Sequence, residues 1–519
     1  MIGADNGTRL YKSMIRMDVS TNCLTVDYRV FASAILTVTE RRFFVCPGDP
    51  AHGGAGTLIL LDPIGGMEMY SLLIRNAAHI VTCDHQDRVY DHADLLIRDG
   101  VIAAIGAVDQ PADEVIDAAG CIVYPGLINT HHHLYQVFSR NLPQVQNMEL
   151  FDWLRTLYEI WKNLDGDVVY HSSLTGMGEL MKNGCTTCFD HHYVFPNDHA
   201  EGLLERQFAA AEDLGIRMYA SRGSMDLSKK DGGLPPDSVV QSVDRILDDC
   251  RRAVERFHDP APYSMRRVAL APCSPFSVSE ELLRQSAILA RDLGVRLHTH
   301  LCETKDEENY VLERFGMRPL AYMESLGWIG SDVWYAHGIH FNDEELHRLA
   351  ETGTGVAHCP ISNMKLSSGV CRIPDMLRLG VPVGLAVDGS ASNDGSNLLE
   401  ELRVAYLLHR LQSSHQAPSG YDLLKLATAG SARILGRDDI GTLEPGKAGD
   451  CFLVRTNRLE LVGADLDPKS MLATVGLKGS VDYTVVNGKV TVREGHLTRL
   501  DEGVEAERAA ALVRTYLAR

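Results

Sequence analysis

Short apolar runs bounded by turn residues recur along the whole chain, and what separates them changes twice. From residue 70 to 124 they follow one another closely, as SLLIRNA, HIVTCD, ADLLIRDGVIAAIG and EVIDAAGCIVYPG. Runs this short, with tight turns between them, predict strands, and Asp99-Gly100 between two of them predicts a hairpin. The same texture returns in GDCFLVRT (449–456) and VDYTVVNGKVTVREG (481–495), where Asn487-Gly488 is a second hairpin signal. Two β-rich ends around a long middle predict one small β-sandwich built from both.

In the middle, about 125–439, strand-like runs alternate with amphipathic helical stretches. The strand candidates are GCTTCFDHH, GIRMYASRG, RVALAPCSP, GVRLHTHLC, DVWYAHGIH, GTGVAHCP and VPVGLAVDG, and the helices between them include EGLLERQFAAAEDL, EELLRQSAILARDL and DEELHRLAETG. With the run at 121–131 counted, the pattern has the eight units of a (β/α)8 barrel, an α/β fold of TIM type. A doubly wound sheet is the alternative, but no GxGxxG or Walker loop opens a helix, and GKAGD at 446–450 has neither the glycine spacing nor the Ser or Thr of a P-loop. The expected organisation is an irregular or partly disordered N-terminal extension (1–66), a composite β-sandwich (67–124 and 440–500), the barrel (125–439) and a terminal helix (501–519).

The first 66 residues lack sustained periodicity, and CPGDPAHGGAG at 46–56 reads as an irregular loop. The apolar stretch 31–38 is too short for an export signal. Regular patterning starts just after Met67 and Met69, so the functional fold is expected to begin there, with the preceding segment an appendage or a misplaced start.

Composition narrows the class. The 519 residues can bury a large core, and 45% hydrophobic with 23% charged residues is ordinary for a soluble globular chain. An excess of 69 acidic over 50 basic residues, net −19, argues against nucleic-acid or anionic-membrane partners. No run reaches the ~18–20 apolar residues of a membrane span. The 12 cysteines are scattered through apolar runs, which fits reduced thiols and a cytoplasmic location, and the lone Cys185–Cys188 CxxC has no second pair to make a zinc ribbon.

The candidate chemistry lies at strand ends. His131 and His133 in PGLINTHHHL follow an apolar run, His300 closes VRLHTHLCET, His337 closes VWYAHGIH and Asp388 closes VPVGLAVDGS. Alternate strand positions face the same side, so His131 and His133 can grip one ion while His132 points away. Imidazoles with one carboxylate suit a catalytic divalent metal, zinc first and iron or manganese next. In a barrel, the C-terminal strand ends are also where active sites lie.

PGLINTHHHLYQ, THLCETKDEE, AHGIHF, AHCPISNMKL and VDGSASND together resemble the amidohydrolase superfamily, in its mononuclear-metal deaminase and chlorohydrolase branch, over about residues 67–500. The resemblance implies that His131, His133, His300 and Asp388 hold the metal. Binuclear relatives add a carboxylated lysine from strand four. Here that strand reads VALAPCSP without a lysine, so one metal ion is expected. Asp388 is expected to accept a proton from the attacking water, and Glu303, three residues after His300, to protonate a ring nitrogen and then the departing amine. His337 is expected to polarise the nucleophile. Chloride leaves without a proton whereas an amine does not, so Glu303 favours an aminohydrolase over a chlorohydrolase.

For the substrate, Gln136 stands three residues after His133, the offset of a substrate-binding glutamine in guanine deaminases of this superfamily. Trp153, in ELFDWLRTLYEIW, offers a surface for stacking on a heteroaromatic ring, and Arg222 in SRGSMD could meet a ring oxygen. Segments such as SRNLPQVQNMELFDWL and LAPCSPFSVS look most like the 8-oxoguanine deaminases, whose relatives are often labelled hydroxydechloroatrazine ethylaminohydrolase. The expected reaction is deamination of 8-oxoguanine to urate with release of ammonia, in a homo-oligomer. Isocytosine, guanine, pterins such as isoxanthopterin, and s-triazines, including amino- or chlorohydrolysis, are the alternatives. A cytidine-deaminase-type site would need HxE with PCxxC, which is absent, and a non-catalytic metal-binding scaffold would be expected to have lost Glu303, His337 or Asp388.

Overall fold

The computed structural model describes residues 70–519 and, before them, four strands, Met14–Asp18, Cys23–Val30, Thr39–Val45 and Leu58–Leu60, paired antiparallel in chain order. The segments 31–38 and 46–56 singled out in the sequence lie outside the described residues. Contacts divide the chain into two units, Met1–Met69 and Tyr70–Arg519, and the site belongs to the second.

Both ends of that second unit feed a single nine-stranded, mainly antiparallel sheet. Its two halves meet where Cys121–Pro125 pairs antiparallel with Cys451–Arg455, placing Tyr124 opposite Phe452 with their rings stacked at 5.3 Å. Leu72, Ile74, Leu95, Ile97, Leu453 and Val485 form its own apolar core. Both hairpins occur as their sequences predict. Asp99 and Gly100 (φ 49° and 81°) and Asn487 and Gly488 (φ 48° and 75°) are left-handed in pairs, which a two-residue turn of matching twist requires.

The remaining strands form the eight-stranded parallel barrel, paired in chain order: Leu127–Asn129, Cys185–Asp190, Arg217–Ser224, Arg266–Pro272, Leu297–Leu301, Val333–His337, Gly355–His358 and Val383–Leu385. Helices separate them because the intervening sequence carries apolar residues at helical spacing. Glu280–Leu293, for example, starts at a Ser279 side-chain cap and stops at left-handed Gly294. First and last strands close the cylinder through Thr130 N–H to the Leu385 carbonyl (3.3 Å) and Asp388 N–H to the His131 carbonyl (3.1 Å). One boundary differs from the sequence reading. The apolar run 121–131 is not one strand, since Cys121–Pro125 joins the nine-stranded sheet and the barrel begins after Gly126. Periodicity could not show this because both pieces are fully buried.

Arg217, at the base of the third barrel strand, makes a buried ion pair with Asp450, whose other oxygen accepts the Asn487 N–H at 2.6 Å. That contact ties the barrel to the second hairpin of the sheet. Cys185 and Cys188 are buried thiols on the second barrel strand, three positions apart and so on opposite faces. No helix of the described residues is long and apolar enough to cross a membrane.

Candidate active site

The fifth, sixth and eighth strands each end, or give way to their loops, through a non-glycine residue in left-handed backbone: Cys302 (φ 55°), His337 (φ 71°) and Asp388 (φ 62°). Such conformations cost on the order of 1–3 kcal/mol and persist where the surroundings over-determine them. Here they turn the chain inward at the C-terminal mouth of the barrel and bring together His131, His133, His300, His337 and Asp388, all buried.

The hydrogen bonds behind the imidazoles decide which nitrogen faces the centre. Nδ1–H of His133 donates to the His191 carbonyl (2.7 Å) and Nδ1–H of His300 to the Cys273 carbonyl (2.6 Å). His298 Nδ1–H donates to the Trp334 carbonyl (3.0 Å), so its Nε2 can only accept, and it accepts from His131 Nδ1–H at 2.8 Å. Each of the three rings therefore turns an Nε2 lone pair to the centre. His133 Nε2 and His300 Nε2 lie 3.1 Å apart, and Asp388 Oδ1 is 3.2 Å from Nε2 of both His131 and His133. Burial holds His131 well below the ordinary histidine range and pushes His300 down to about 3, so both rings are neutral. Burial alone would raise Asp388, but its imidazole neighbours His131 and His133 outweigh that and hold it well below the usual carboxylate range. Its second oxygen accepts from Ser362 (2.6 Å) and Ser392 (3.1 Å). Converging lone pairs beside an ionised carboxylate, with His131 Nε2 buried and lacking any hydrogen-bond partner, fit one divalent cation.

Glu303 stands beside this cluster, its Oε2 3.6 Å from His337 Nε2, while His337 Nδ1–H donates to Asn363 Oδ1 at 2.8 Å. Burial first, and the charge of Asp388 second, push Glu303 up to about 8, which makes it a neutral acid at pH 7. Two features around it went unread in the sequence. Glu307, fully buried, accepts the backbone N–H groups of Cys302 (2.8 Å) and Glu303 (3.0 Å) and so locks the turn that aims Glu303. The TKDE run, a helix-start pattern with Thr304 as cap, was the available signal. His191 joins His131, His133 and His300 in a second possible ligand group; its Nε2–H donates to the Ala271 carbonyl and its buried Nδ1 has no partner. The FDHH run at a strand end was its signal. His132 turns the other way, onto Ser396 Oγ at 3.0 Å.

Above the cluster lies a small cavity, with Glu303, His337 and Asp388 in its wall and Gln136, Trp153 and Phe276 among the residues around it. Gln136 and Trp153 line the same space as His133, His300 and His337. Arg222 does not line it. Its guanidinium lies over the Phe195 ring at 3.8 Å and is held by Gln241 Oε1 (2.6 Å) and Asp249 Oδ2 (3.0 Å). As a substrate contact Arg222 is corrected to a buried structural cation, because two partners on the neighbouring segment and helix already satisfy it.

Comparison with known proteins agrees with this geometry. The sequence profile described as "Amidohydrolase family" matches residues 122–491. Hydroxydechloroatrazine ethylaminohydrolase of Pseudomonas sp. (strain ADP) is 45% identical over 458 residues, which cover 85% of this chain and 95% of that protein. The 8-oxoguanine deaminase of Pseudomonas aeruginosa is 44% identical over 444 residues, 84% of this chain and 98% of that one. Among solved structures, atrazine chlorohydrolase TrzN from Arthrobacter aurescens TC1 complexed with zinc superposes with a TM-score of 0.81 at 35% identity, over 86% of this chain and 100% of that one. With the profile covering most of the chain and the histidine cluster at the barrel mouth, this protein belongs to the amidohydrolase family.

Proposed function

We propose that the protein is a metal-dependent hydrolytic deaminase of an amino-substituted nitrogen heterocycle, with 8-oxoguanine as the substrate that fits best and urate and ammonia as products. The observation that carries this reading is the buried Glu303 facing the cavity next to His337 and Asp388. An amine must be protonated to leave, and a carboxylic acid that keeps its proton at pH 7 is the group for that task.

His131, His133, His300 and Asp388 would hold the cation, zinc by the chemistry of the donor set. When bound there, it lowers the pKa of a water from ~15.7 toward ~7 and so supplies a nucleophile at neutral pH. Glu303 gives its proton to a ring nitrogen and makes the adjacent amidine carbon electrophilic. Asp388 takes the proton of the attacking water, and Ser362 and Ser392 keep it oriented through its outer oxygen. His337, its tautomer set by Asn363, points Nε2 toward the same space and steadies the oxygen that adds. Loss of ammonia then needs one proton on nitrogen: the hydroxyl proton of the adduct passes through Glu303 to the departing amine as the carbonyl forms, and the water proton held by Asp388 then restores Glu303. Apolar walls from Leu150, Leu154, Phe276 and Leu366 keep bulk water away from a flat ring.

The test is an ammonia-release screen of the zinc-loaded protein against 8-oxoguanine, guanine, isocytosine, isoxanthopterin and hydroxyatrazine. Turnover highest on 8-oxoguanine is the expected result. Release of ethylamine from hydroxyatrazine at a higher kcat/KM would move the assignment to the triazines, and no turnover of any ring would overturn the deaminase reading.

A further inference from the structure

Two buried polar atoms on residues of the cavity wall have nothing to bond to. They are the indole Nε1–H of Trp153 and the amide Oε1 of Gln136. A buried donor left unpaired is destabilising, so native structures rarely keep one without a reason. Leu150, Leu154 and Phe276 line the same cavity, and Trp161 meets the Trp153 ring edge-on at 5.5 Å. Trp153 also sits on the helix Leu150–Trp161 that covers the cavity, whereas the histidines and Asp388 form the floor. Gln136 is placed low, with Oε1 so close over Gly389 that a methyl there would lie 1.9 Å from it.

We infer that Trp153 donates its indole N–H to a carbonyl oxygen of the substrate, on the part of the ring system remote from the amidine carbon, and does not serve as a stacking surface alone. Gln136 Oε1 takes a ring N–H of the same molecule. The substrate class is thereby an oxo-substituted lactam heterocycle, carrying N–H and C=O groups on its edge as the 8-oxopurines do. This deepens the deaminase reading and rests on it for the placement of the amidine at the floor.

The experiment compares ring pairs that differ by this one carbonyl, using the full-length zinc-loaded protein and its Trp153→Phe variant, which keeps a flat apolar ring without the N–H. For the substrates 8-oxoguanine and guanine, the variant should lose ~10-fold or more in kcat/KM on 8-oxoguanine, mainly through KM, and less than ~2-fold on guanine. For the products urate and xanthine, binding measured by calorimetry should show the same selective loss for urate. Equal losses on both members of a pair, or none on either, would overturn the donor role. The binding arm does not depend on turnover: no turnover of any ring in the ammonia-release screen fails the deaminase reading, while a wild type that binds urate no more tightly than xanthine refutes the inference itself. Circular dichroism and zinc content equal to the wild type show that the variant is folded.

Discussion

Glu303 is the residue on which the chemistry turns, and two outcomes follow from its surroundings. Glu303→Gln keeps the shape but cannot move a proton, so ammonia release should fall at least ~10²-fold with zinc content unchanged. A chlorinated analogue, if accepted, should lose much less, and near-wild-type deamination would remove Glu303 from the mechanism. The second outcome concerns stability without metal. Folding raises Glu303 from the ordinary 4.5 to about 8, so between those values the folded state holds a proton that the unfolded chain has lost. Stability from this group is therefore full below about 4.5 and declines as pH rises toward 8. Thermal unfolding of the metal-free protein from pH 5 to 8 should show Glu303→Gln gaining on the wild type as pH rises; parallel curves would contradict it. Gly389 offers an independent check on the Gln136 placement. Its φ of −72° suits any residue, but the Oε1 contact does not admit a methyl group. Gly389→Ala should displace only the flexible end of Gln136, lowering kcat/KM by roughly 10–100-fold while zinc content and Tm stay close to wild type.

At the scale of elements, strand ends and their loops do the positioning. The second barrel loop carries His191 and Tyr193, and Gly223 on the third strand packs directly on it: a Cβ there would sit 2.4 Å from the His192 carbonyl oxygen and 2.8 Å from Tyr193 Cα. Backbone cannot move aside as a side-chain tip can. Gly223→Ala should cost about 1–3 kcal/mol in urea unfolding and also weaken zinc binding, because His133 donates to the His191 carbonyl next door. A wild-type midpoint would show that this loop yields. The elements were the most legible part of the chain, since hairpin dipeptides and alternating strand and helix patterns depend on local backbone preference. The break at Gly126 was not, because a strand buried on both faces looks the same in either sheet.

For the whole molecule, the division at Met69–Tyr70 bears on the role of the first residues. A chain begun at Met67 should keep its zinc and its turnover, measured by elemental analysis and ammonia release. Loss of soluble protein on that truncation would show that the preceding segment packs on the rest. One equivalent of zinc per chain is expected, and its removal by a chelator should abolish turnover reversibly.

The residues that would hold the metal could be read in order along the chain because an ion needs donors of a few types, and strands deliver them at their ends with fixed alternation. His131, His133, His300 and Asp388 announced themselves by residue type and place. What those rings do with their second nitrogen could not be read that way. The partners are the carbonyls of His191 and Cys273 and, for His131, the Nε2 of His298, itself set by the Trp334 carbonyl, and any residue has a carbonyl. Glu307, Asn363, Ser362 and Ser392 are likewise common residues whose meaning comes only from what the fold sets against them. Arg222 shows the converse: a charge at a promising strand end was already committed to Asp249 and Gln241. Local preference and donor chemistry are properties of the chain. Which polar atoms are paired and which are left for a ligand is a property of the packed barrel alone, because pairing depends on neighbours that the sequence keeps dozens or hundreds of residues apart.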